Sequence, residues 1–96
     1  MTKPTFSREV RNAVLIKQGW KCCQCDEYRG LTFHHIIINS KLNQRLYGEL
    51  LQTRDNCRAV CSTHHQNRTW DIPIKRELQM KFKFELMKQN KWKGKT

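Results

Sequence analysis

Two short stretches of sequence decide the fold: KCCQCD at residues 21–26 and CRAVCSTHH at residues 57–65. Each contains a pair of metal-binding side chains with two residues between them. The pairs are Cys22 and Cys25 in the first stretch and Cys61 and His64 in the second. A turn of this length lets two side chains reach the same tetrahedral ion. Together the two pairs predict one structural zinc site with three cysteine ligands and one histidine ligand.

Neighbouring residues compete for places in this ligand set. Cys23 is a candidate first ligand, but it leaves only one residue before Cys25, and so short a turn grips an ion less well. Cys57 competes for the second pair, although its position in a β-like run fits a small buried residue better. His65 competes with His64, and the two-residue spacing favours His64.

The composition favours metal rather than disulfide bonds as the support of a small core. The chain has 96 residues, of which 38% are hydrophobic, and its mean hydropathy is -0.83. Such a chain forms one thin-cored domain that needs a staple. The five cysteines are odd in number and cluster with histidines. With no secretory leader after Met1 and no membrane span in the sequence, we expect a cytoplasmic location, where zinc thiolates persist.

The charge balance indicates a polyanionic partner. Lys and Arg number 19 against 8 Asp and Glu, which gives a formal net charge of +11. An excess of this size on a small domain is typical of nucleic-acid binding. The basic residues are interleaved with Trp20, Trp70 and Trp92 rather than confined to a tail. This pattern favours a nucleic acid over an acidic protein partner or a role in solubility alone.

Hydrophobic periodicity places the first elements along the chain. After a short arm at residues 1–6, Ser7 predicts the start of a helix and Gly19 its end. Residues 31–38 are apolar and rich in β-branched side chains around two histidines, which predicts a strand. Leucines at three- and four-residue steps over residues 42–51 predict a short amphipathic helix.

The second half predicts another strand and two helices. Residues 57–60 form the strand, which leads into a helix that runs to residue 70. Asp71 is expected to cap the last helix, with Pro73 in its first turn. The expected apolar contacts of that helix are Leu78, Phe82, Phe84, Leu86 and Met87. The basic segment from Lys88 onward is expected to be loose.

A further constellation lies between and just after the two metal-binding pairs: His34-His35-Ile36, then Asn56, then His65. In this order and spacing the chain resembles the zinc-bearing members of the HNH (His-Asn-His) endonucleases, also called ββα-metal nucleases. The resemblance covers about half of the chain. It departs from the common pattern at His64, where cysteine is more usual. It also departs at residues 41–53, where many members have a Pro/Gly-rich loop.

The resemblance implies a fold and a function. The fold is α+β, with a ββα-metal core and its Cys3His zinc site at residues 21–70, flanked by an N-terminal arm and helix (1–20) and a basic C-terminal helix and tail (71–96). The whole chain is then a single HNH domain. The implied function is metal-dependent hydrolysis of DNA, with low sequence selectivity because no specificity domain fits beside the core. A larger phage packaging or restriction protein is an implied partner, and the host cytoplasm the implied location if the chain is phage-encoded.

The resemblance also implies a role for each site residue. His35 is the general base that takes a proton from water. His34 and His65 hold one catalytic divalent cation, Mn²⁺, Mg²⁺, Co²⁺ or Ni²⁺. Asn56 either joins that metal shell or pins the loop between strand and helix. Arg68, one helical turn beyond His65, clamps the scissile phosphate.

The histidine pair raises a geometric question. Adjacent strand residues point to opposite faces of a sheet, so His34 and His35 cannot both face one metal from a regular strand. Either the strand is bent at this point, or the substrate phosphate lies between the two side chains.

Basic residues of the last helix complete the predicted DNA interface. Lys75, Arg76 and Lys81 are expected to contact the DNA backbone together with Arg68. Two other functions fit the same residues: a non-catalytic zinc module that binds nucleic acid on an HNH scaffold, and an adaptor whose basic surface meets an acidic protein.

Overall fold

A two-stranded antiparallel sheet lies at the centre of the structure, a computed structural model that describes residues 5–94. Strand β1 (Thr32–His35) pairs with β2 (Cys57–Val60), with Thr32 opposite Val60 and His35 opposite Cys57. The predicted strand at residues 31–38 is longer than the observed one. The Ile36 N–H still donates in register to the Asn56 carbonyl at 3.0 Å, but the Asn56 N–H donates to the Thr53 carbonyl at 3.1 Å, so the ladder is not continued beyond this point.

Helix α1 (Arg8–Gln18) begins and ends where the sequence predicts. Ser7 caps it, since its Oγ accepts from the Val10 N–H at 3.2 Å, and Gly19 ends it in the left-handed conformation at φ 71°. The last residue ties the helix to the sheet. The Gln18 side-chain amide donates to the carbonyl of Ala59 and accepts from its N–H, at 2.9 and 3.0 Å. The outer edge of β2 is therefore satisfied by a side chain. Most of the expected arm, residues 1–4, lies outside the described residues.

The segment between the strands is only partly helical. Helix α2 (Lys41–Tyr47) is capped by Ser40, whose Oγ accepts from the Asn43 N–H at 3.1 Å. The expected helix over residues 42–51 is broken at Gly48, which has φ 57°, and the chain continues in two 3₁₀ turns, Gly48–Gln52 and Arg54–Asn56. Leu42 was expected on the apolar face but is exposed.

Two helices follow β2: the short α3 (Ser62–Gln66) and the long α4 (Ile72–Lys88), joined by a 3₁₀ turn at Thr69–Asp71. Helix α3 was predicted to reach residue 70 and ends four residues earlier. Asp71 is the N-cap residue of α4 and Pro73 lies in the first turn, as expected, but the Asp71 side chain makes no cap hydrogen bond. The expected contacts of α4 are only partly right: Leu78, Phe82 and Leu86 are buried, but Phe84 and Met87 are exposed.

The chain after α4 folds back instead of hanging loose. The Lys91 N–H donates to the Leu86 carbonyl at 2.8 Å. Trp92 then packs on Tyr47, with 5.8 Å between ring centroids. The prediction of a loose segment is therefore wrong for Lys88, which belongs to α4, and for residues 89–92, while residues 95 and 96 lie outside the described part.

The core is thin and divided into parts, as the composition indicates. The largest part packs α4 and Tyr47 against Ile36 and Ile37; a second lies between α1 and the sheet, and a third surrounds Cys22 and Cys61. Of the helices in residues 5–94, none combines the length and apolar character that a membrane crossing requires.

Candidate functional site

The four residues of the two pairs form a cluster that could bind a metal ion such as zinc. The ligand atoms of Cys22, Cys25, Cys61 and His64 all lie within 4.8 Å of one another. The Cys25 and Cys61 sulfurs are 3.8 Å apart, and His64 Nδ1 lies 3.7 Å and 3.3 Å from the sulfurs of Cys22 and Cys61. A tetrahedral zinc ion with ordinary bond lengths requires about 3.8 Å between sulfurs and about 3.6 Å between sulfur and nitrogen. The donor set and its spacing therefore fit zinc.

Backbone hydrogen bonds hold the two halves of the cluster in place. The Cys22 N–H donates to the Glu27 carbonyl at 2.8 Å and closes the first turn. Cys61 is the N-cap residue of α3, which puts His64 on the same side of the helix start. Trp70 Nε1–H donates to the His64 carbonyl at 2.8 Å and fixes the end of α3. Both pairs of ligands are thus positioned by their own local structure.

The cysteines differ in how readily they ionise. Burial raises the pKa of Cys22, but hydrogen bonds from the backbone N–H groups of Cys61 and Gln24 outweigh it and lower that pKa to about 6. The thiolate this favours is the metal-binding form. Burial raises the pKa of the fully buried Cys57 to about 12. Cys57 is therefore an inert core residue, and Cys23, whose pKa is also raised by burial, lies outside the cluster.

A second cluster forms where β1 meets α3 and the following turn. His34 Nε2 and Asp71 Oδ2 are 2.8 Å apart, and both side chains are almost completely buried. The His65 ring of α3 lies 5.6 Å from the His34 ring, centroid to centroid. A hydrogen bond of 3.2 Å joins His65 Nδ1 to Thr32 Oγ1. The structure thus brings together the two histidines predicted to hold a catalytic cation.

Electrostatics keep His34 neutral near pH 7. Burial lowers its pKa most, the hydrogen bond and charge of Asp71 partly offset this, and interactions with the nearby His65 and Arg68 lower it further. Arg68 is therefore within electrostatic reach of the cluster. The expectation that Arg68 lies one helical turn beyond His65 is wrong. Helix α3 ends at Gln66, and Arg68 is in the exposed link that follows.

Asp71 is the residue that the sequence analysis missed. A carboxylate that accepts from one nitrogen of a histidine fixes the ring and its tautomer, and this arrangement commonly supports metal-binding histidines. Its position in the sequence, next to Pro73 at a helix start, favoured a capping role instead. Only the burial of Asp71 against His34, 37 residues away, reveals its partner.

His35 lies on the opposite face of the sheet from His34. Its Nε2 is 2.8 Å from Gln52 Oε1, and its ring stacks on Phe6 with centroids 4.0 Å apart. The register is regular through both histidines, so β1 is not bent between them. Burial lowers the pKa of His35, and Gln52 offsets this in part. The structure therefore does not bring His35 together with His34 and His65, and Gln52 is a further residue that the sequence did not single out.

Asn56 fits the second of its two predicted roles, that of a loop anchor. It is fully buried, and its Oδ1 accepts from the Ile37 N–H at 2.6 Å. Its Nδ2 donates to the carbonyls of Ile37 and Leu51 at 3.1 and 2.9 Å. The side chain thus joins the end of β1 to the loop before β2. A role as a metal ligand requires Oδ1 to leave the Ile37 N–H.

The basic residues of α4 do not share one face. At about 100° per residue, Lys75, Arg76 and Lys81 project in directions roughly 100° to 140° apart around the helix axis. Lys81 Nζ is 2.8 Å from Asp55 Oδ2 and is an ion-pair partner. Lys75 is half-buried, while Arg76 is exposed. A flat backbone therefore cannot contact all three at once.

Neither a family model, nor a curated protein, nor a solved structure matches this chain. The functional conclusion must therefore come from the chain's own residues and their geometry. Two features carry it: the Cys3His cluster, and the cluster of the buried His34 and Asp71 with the exposed His65.

Proposed function

We propose that this chain is a zinc-stabilised, metal-dependent DNA endonuclease with an HNH-type ββα-metal core. One observation carries the proposal: the order β1, β2, α3 puts the His34 and His65 rings 5.6 Å apart beside the buried Asp71. Two imidazoles bound to one ion at ordinary distances have centroids about 4.5–5.5 Å apart. The observed 5.6 Å lies just above that range, which supports a cation shared by the two histidines.

Each of the two histidines has one ring nitrogen in a hydrogen bond, so the other ring nitrogen is available to bind a metal ion. Asp71 occupies Nε2 of His34, which leaves Nδ1 for a metal. Thr32 occupies Nδ1 of His65, which leaves Nε2. A bound divalent cation supplies Lewis-acid stabilisation of the negative charge that develops on the phosphate and leaving oxygen. The exposed Arg68, whose charge acts on His34, is the proposed ligand of a phosphate oxygen at the rim.

His35 is proposed as the general base despite its position on the other face. Because Nε2–H of His35 donates to the side-chain amide oxygen of Gln52, Nδ1 is left to accept a proton from water. Its lowered pKa keeps it in the neutral, proton-accepting form at pH 7. With no bend in β1, the remaining solution is a phosphate between the two histidines. Within residues 5–94, β1 pairs only with β2, so its other edge has no strand to block that approach.

DNA is the proposed substrate because of the net charge of +11. Arg68 and the exposed Arg76 are available as backbone contacts without rearrangement. Lys75 and Lys81 project in other directions from α4 than Arg76, so each is proposed as an alternative contact rather than a simultaneous one, and Lys81 would have to exchange Asp55 for a phosphate. A larger phage packaging or restriction protein remains a proposed partner, and a host cytoplasmic location goes with it.

Incubation of zinc-loaded protein with supercoiled plasmid and Mn²⁺ tests the proposal. Conversion to nicked or linear DNA, abolished by omitting Mn²⁺, is the expected result. A gel shift without cleavage would replace the nuclease by a non-catalytic nucleic-acid-binding module. If the protein neither cleaves nor binds DNA, the remaining function is that of an adaptor whose basic surface meets an acidic protein.

The metal preference follows from the proposed ligands. Imidazole nitrogen suits borderline transition ions, whereas Mg²⁺ prefers oxygen. We expect Mn²⁺, Co²⁺ or Ni²⁺ to support plasmid nicking at least as well as Mg²⁺, measured as initial rates at equal metal concentration. A strict Mg²⁺ requirement would contradict the histidine shell and would indicate that the Asp71 carboxylate binds the cation directly.

Asp71→Asn tests the orienting role of this carboxylate. The amide keeps the shape of the side chain but weakens its hold on the His34 ring, so the Mn²⁺ concentration for half-maximal nicking should rise by about 10- to 100-fold. The zinc content should stay unchanged, because Asp71 is not in the Cys3His cluster. An unchanged Mn²⁺ dependence in folded, zinc-loaded Asp71→Asn protein would show that Asp71 serves stability alone.

A further inference from the structure

A basic cleft lies on the α1 side of the molecule, apart from the His34 cluster. Its volume is about 620 Å³, and its walls come from α1, the segment after it and residues 54–58. Four cationic residues line it: Lys17, Lys21, Arg54 and Arg58. We call this the α1 cleft. None of these four residues has a role in the proposed cleavage site.

The cations of the α1 cleft are weakly neutralised by the chain itself. Of the described residues that line it, Asp55 is the acidic one, and its carboxylate already pairs with Lys81 at 2.8 Å. Lys21 pairs with Asp26 at 3.1 Å, but both side chains are at least half exposed, and such a pair contributes little and yields readily to a phosphate. The cleft therefore has a surplus of positive charge available to an anion.

Arg58 is held ready to bind. Its Nη1 donates to the backbone carbonyls of Cys57 and Asp55 at 2.8 and 3.0 Å, which fixes the guanidinium group. The Nε and Nη2 donors remain for a ligand. A guanidinium that is fixed before binding loses little side-chain entropy when a phosphate oxygen arrives.

An exposed aromatic residue directly precedes one of the residues that line the α1 cleft. Trp20 directly precedes Lys21 and is 57% exposed. Its backbone is in the left-handed region at φ 64°, and its N–H donates to the Leu15 carbonyl at 2.8 Å, so the turn that presents the ring is fixed. Positive grooves combined with aromatic platforms are typical of sites for single-stranded nucleic acid, where the backbone follows the cations and a base stacks on the ring.

We propose that the α1 cleft binds a segment of single-stranded DNA, with phosphates on Lys17, Arg54 and Arg58 and a base stacked on Trp20. A concave cleft of this volume falls in the range of about 300–1,000 Å³ that suits small ligands, which fits a few flexible nucleotides better than a rigid duplex. The inference rests on the proposed function in one respect, the choice of DNA as the nucleic acid that binds. It requires no cleavage, so it can fail or hold independently of the nuclease.

The test is binding of zinc-loaded protein to a fluorescein-labelled 12-nucleotide oligo(dT), with no second metal added. Lys17→Gln/Arg54→Gln removes two charges from the cleft, and Lys41→Gln/Arg45→Gln removes the same charge from exposed positions on α2. The cleft variant should lower the slope of log affinity against log salt by about 1.4 relative to the control, at about 0.7 per lost phosphate contact. Trp20→Ala should weaken oligo(dT) binding by about 5- to 100-fold, with partial recovery in Trp20→Phe.

Two competitors separate single-stranded DNA from other phosphate ligands. A hairpin duplex should bind the cleft variant and the α2 control alike, and tripolyphosphate should displace oligo(dT) only at much higher concentration than unlabelled oligo(dT). Equal loss of oligo(dT) binding in both charge variants would overturn the proposal, since net charge alone would then explain the binding. Selective loss of duplex binding, or displacement by tripolyphosphate as effective as by oligo(dT), would overturn it in favour of a duplex or small-polyanion site. The result of the oligo(dT) binding experiment holds whether or not the wild-type protein nicks plasmid, because the experiment measures binding and not cleavage.

Discussion

Replacement of Cys61 by serine should abolish folding as well as zinc binding. Structural zinc contributes roughly 10–16 kcal/mol of apparent binding free energy in small zinc domains, which equals or exceeds the roughly 5–15 kcal/mol that stabilises a typical domain. Cys61 also packs against Val60 and Cys22 in the third part of the core. We expect Cys61→Ser to retain far less than one equivalent of zinc and to show no cooperative thermal unfolding. Cys22→Ser should behave in the same way.

Cys57→Ser is the matched control for this prediction. It removes an equally buried thiol that lies outside the metal cluster. The buried hydroxyl that replaces it should cost about 1–3 kcal/mol of unfolding free energy, while the zinc content stays at that of the wild type. Elemental analysis and thermal denaturation measure both quantities. Cleanly folded wild-type protein without zinc, or Cys61→Ser that folds with normal zinc, would contradict the assignment of the cluster.

His35→Ala should lower the nicking rate by about 10²- to 10⁴-fold, the usual contribution of a general base. DNA affinity and zinc content should stay the same, because His35 is in neither the Cys3His cluster nor the proposed phosphate clamp. The change also removes the stacking contact with Phe6, so the melting temperature is measured alongside. A folded, zinc-loaded His35→Ala protein that nicks plasmid at the wild-type rate would make His35 a structural residue.

The pH profile gives a second reading of His35. Since burial lowers its pKa, the base form dominates at pH 7 and above, and the nicking rate should fall as the pH drops through the lowered pKa, below the ordinary value of 6.5. The His35→Ala protein should lose this acid limb. A wild-type rate that rises as the pH falls below 6.5 would contradict a histidine acting as the base.

The sequence predicted the parts of the fold that depend on local chemistry. Ser7 and Gly19 bound α1 because caps depend on side-chain reach and on glycine's tolerance of positive φ. The Cys3His cluster followed from spacing alone, since a two-residue turn nearly fixes the separation of its ligands. For the helix caps and within each metal-binding pair the deciding contact is made within a few residues, whereas the two pairs meet across about 36 residues.

The sequence could not predict features that depend on distant partners. Asp71 has the sequence context of a helix cap, but its carboxylate pairs with the buried His34 instead of the backbone N–H groups of α4. Phe84 and Met87 continue an apolar pattern on α4, yet the core reaches only the face of Leu78, Phe82 and Leu86. Tertiary packing overrides periodicity in a helix that is apolar on more than one side.

The sequence predicted that His34 and His35 face opposite sides of the sheet. It could not predict whether β1 is bent so that both reach one metal, or whether a phosphate lies between them. Strand alternation implied the problem, and the regular register at Arg58 and Cys57 removes a bend as its solution. The proposed mechanism therefore has the phosphate approach along the open edge of β1. The roles of Gln52 and Phe6 in holding His35 were beyond reach, because both come from other segments of the chain.

The Mn²⁺ dependence of plasmid nicking by His65→Ala, compared with wild type, tests the central claim most directly. The claim is that His34 and His65 share a catalytic cation, and loss of one of two protein ligands should lower occupancy rather than chemistry. The account predicts near-complete loss of nicking at an Mn²⁺ concentration that saturates the wild type, and partial recovery as Mn²⁺ is raised, with zinc content unchanged. Superimposable Mn²⁺ curves for folded wild-type and His65→Ala proteins would contradict it.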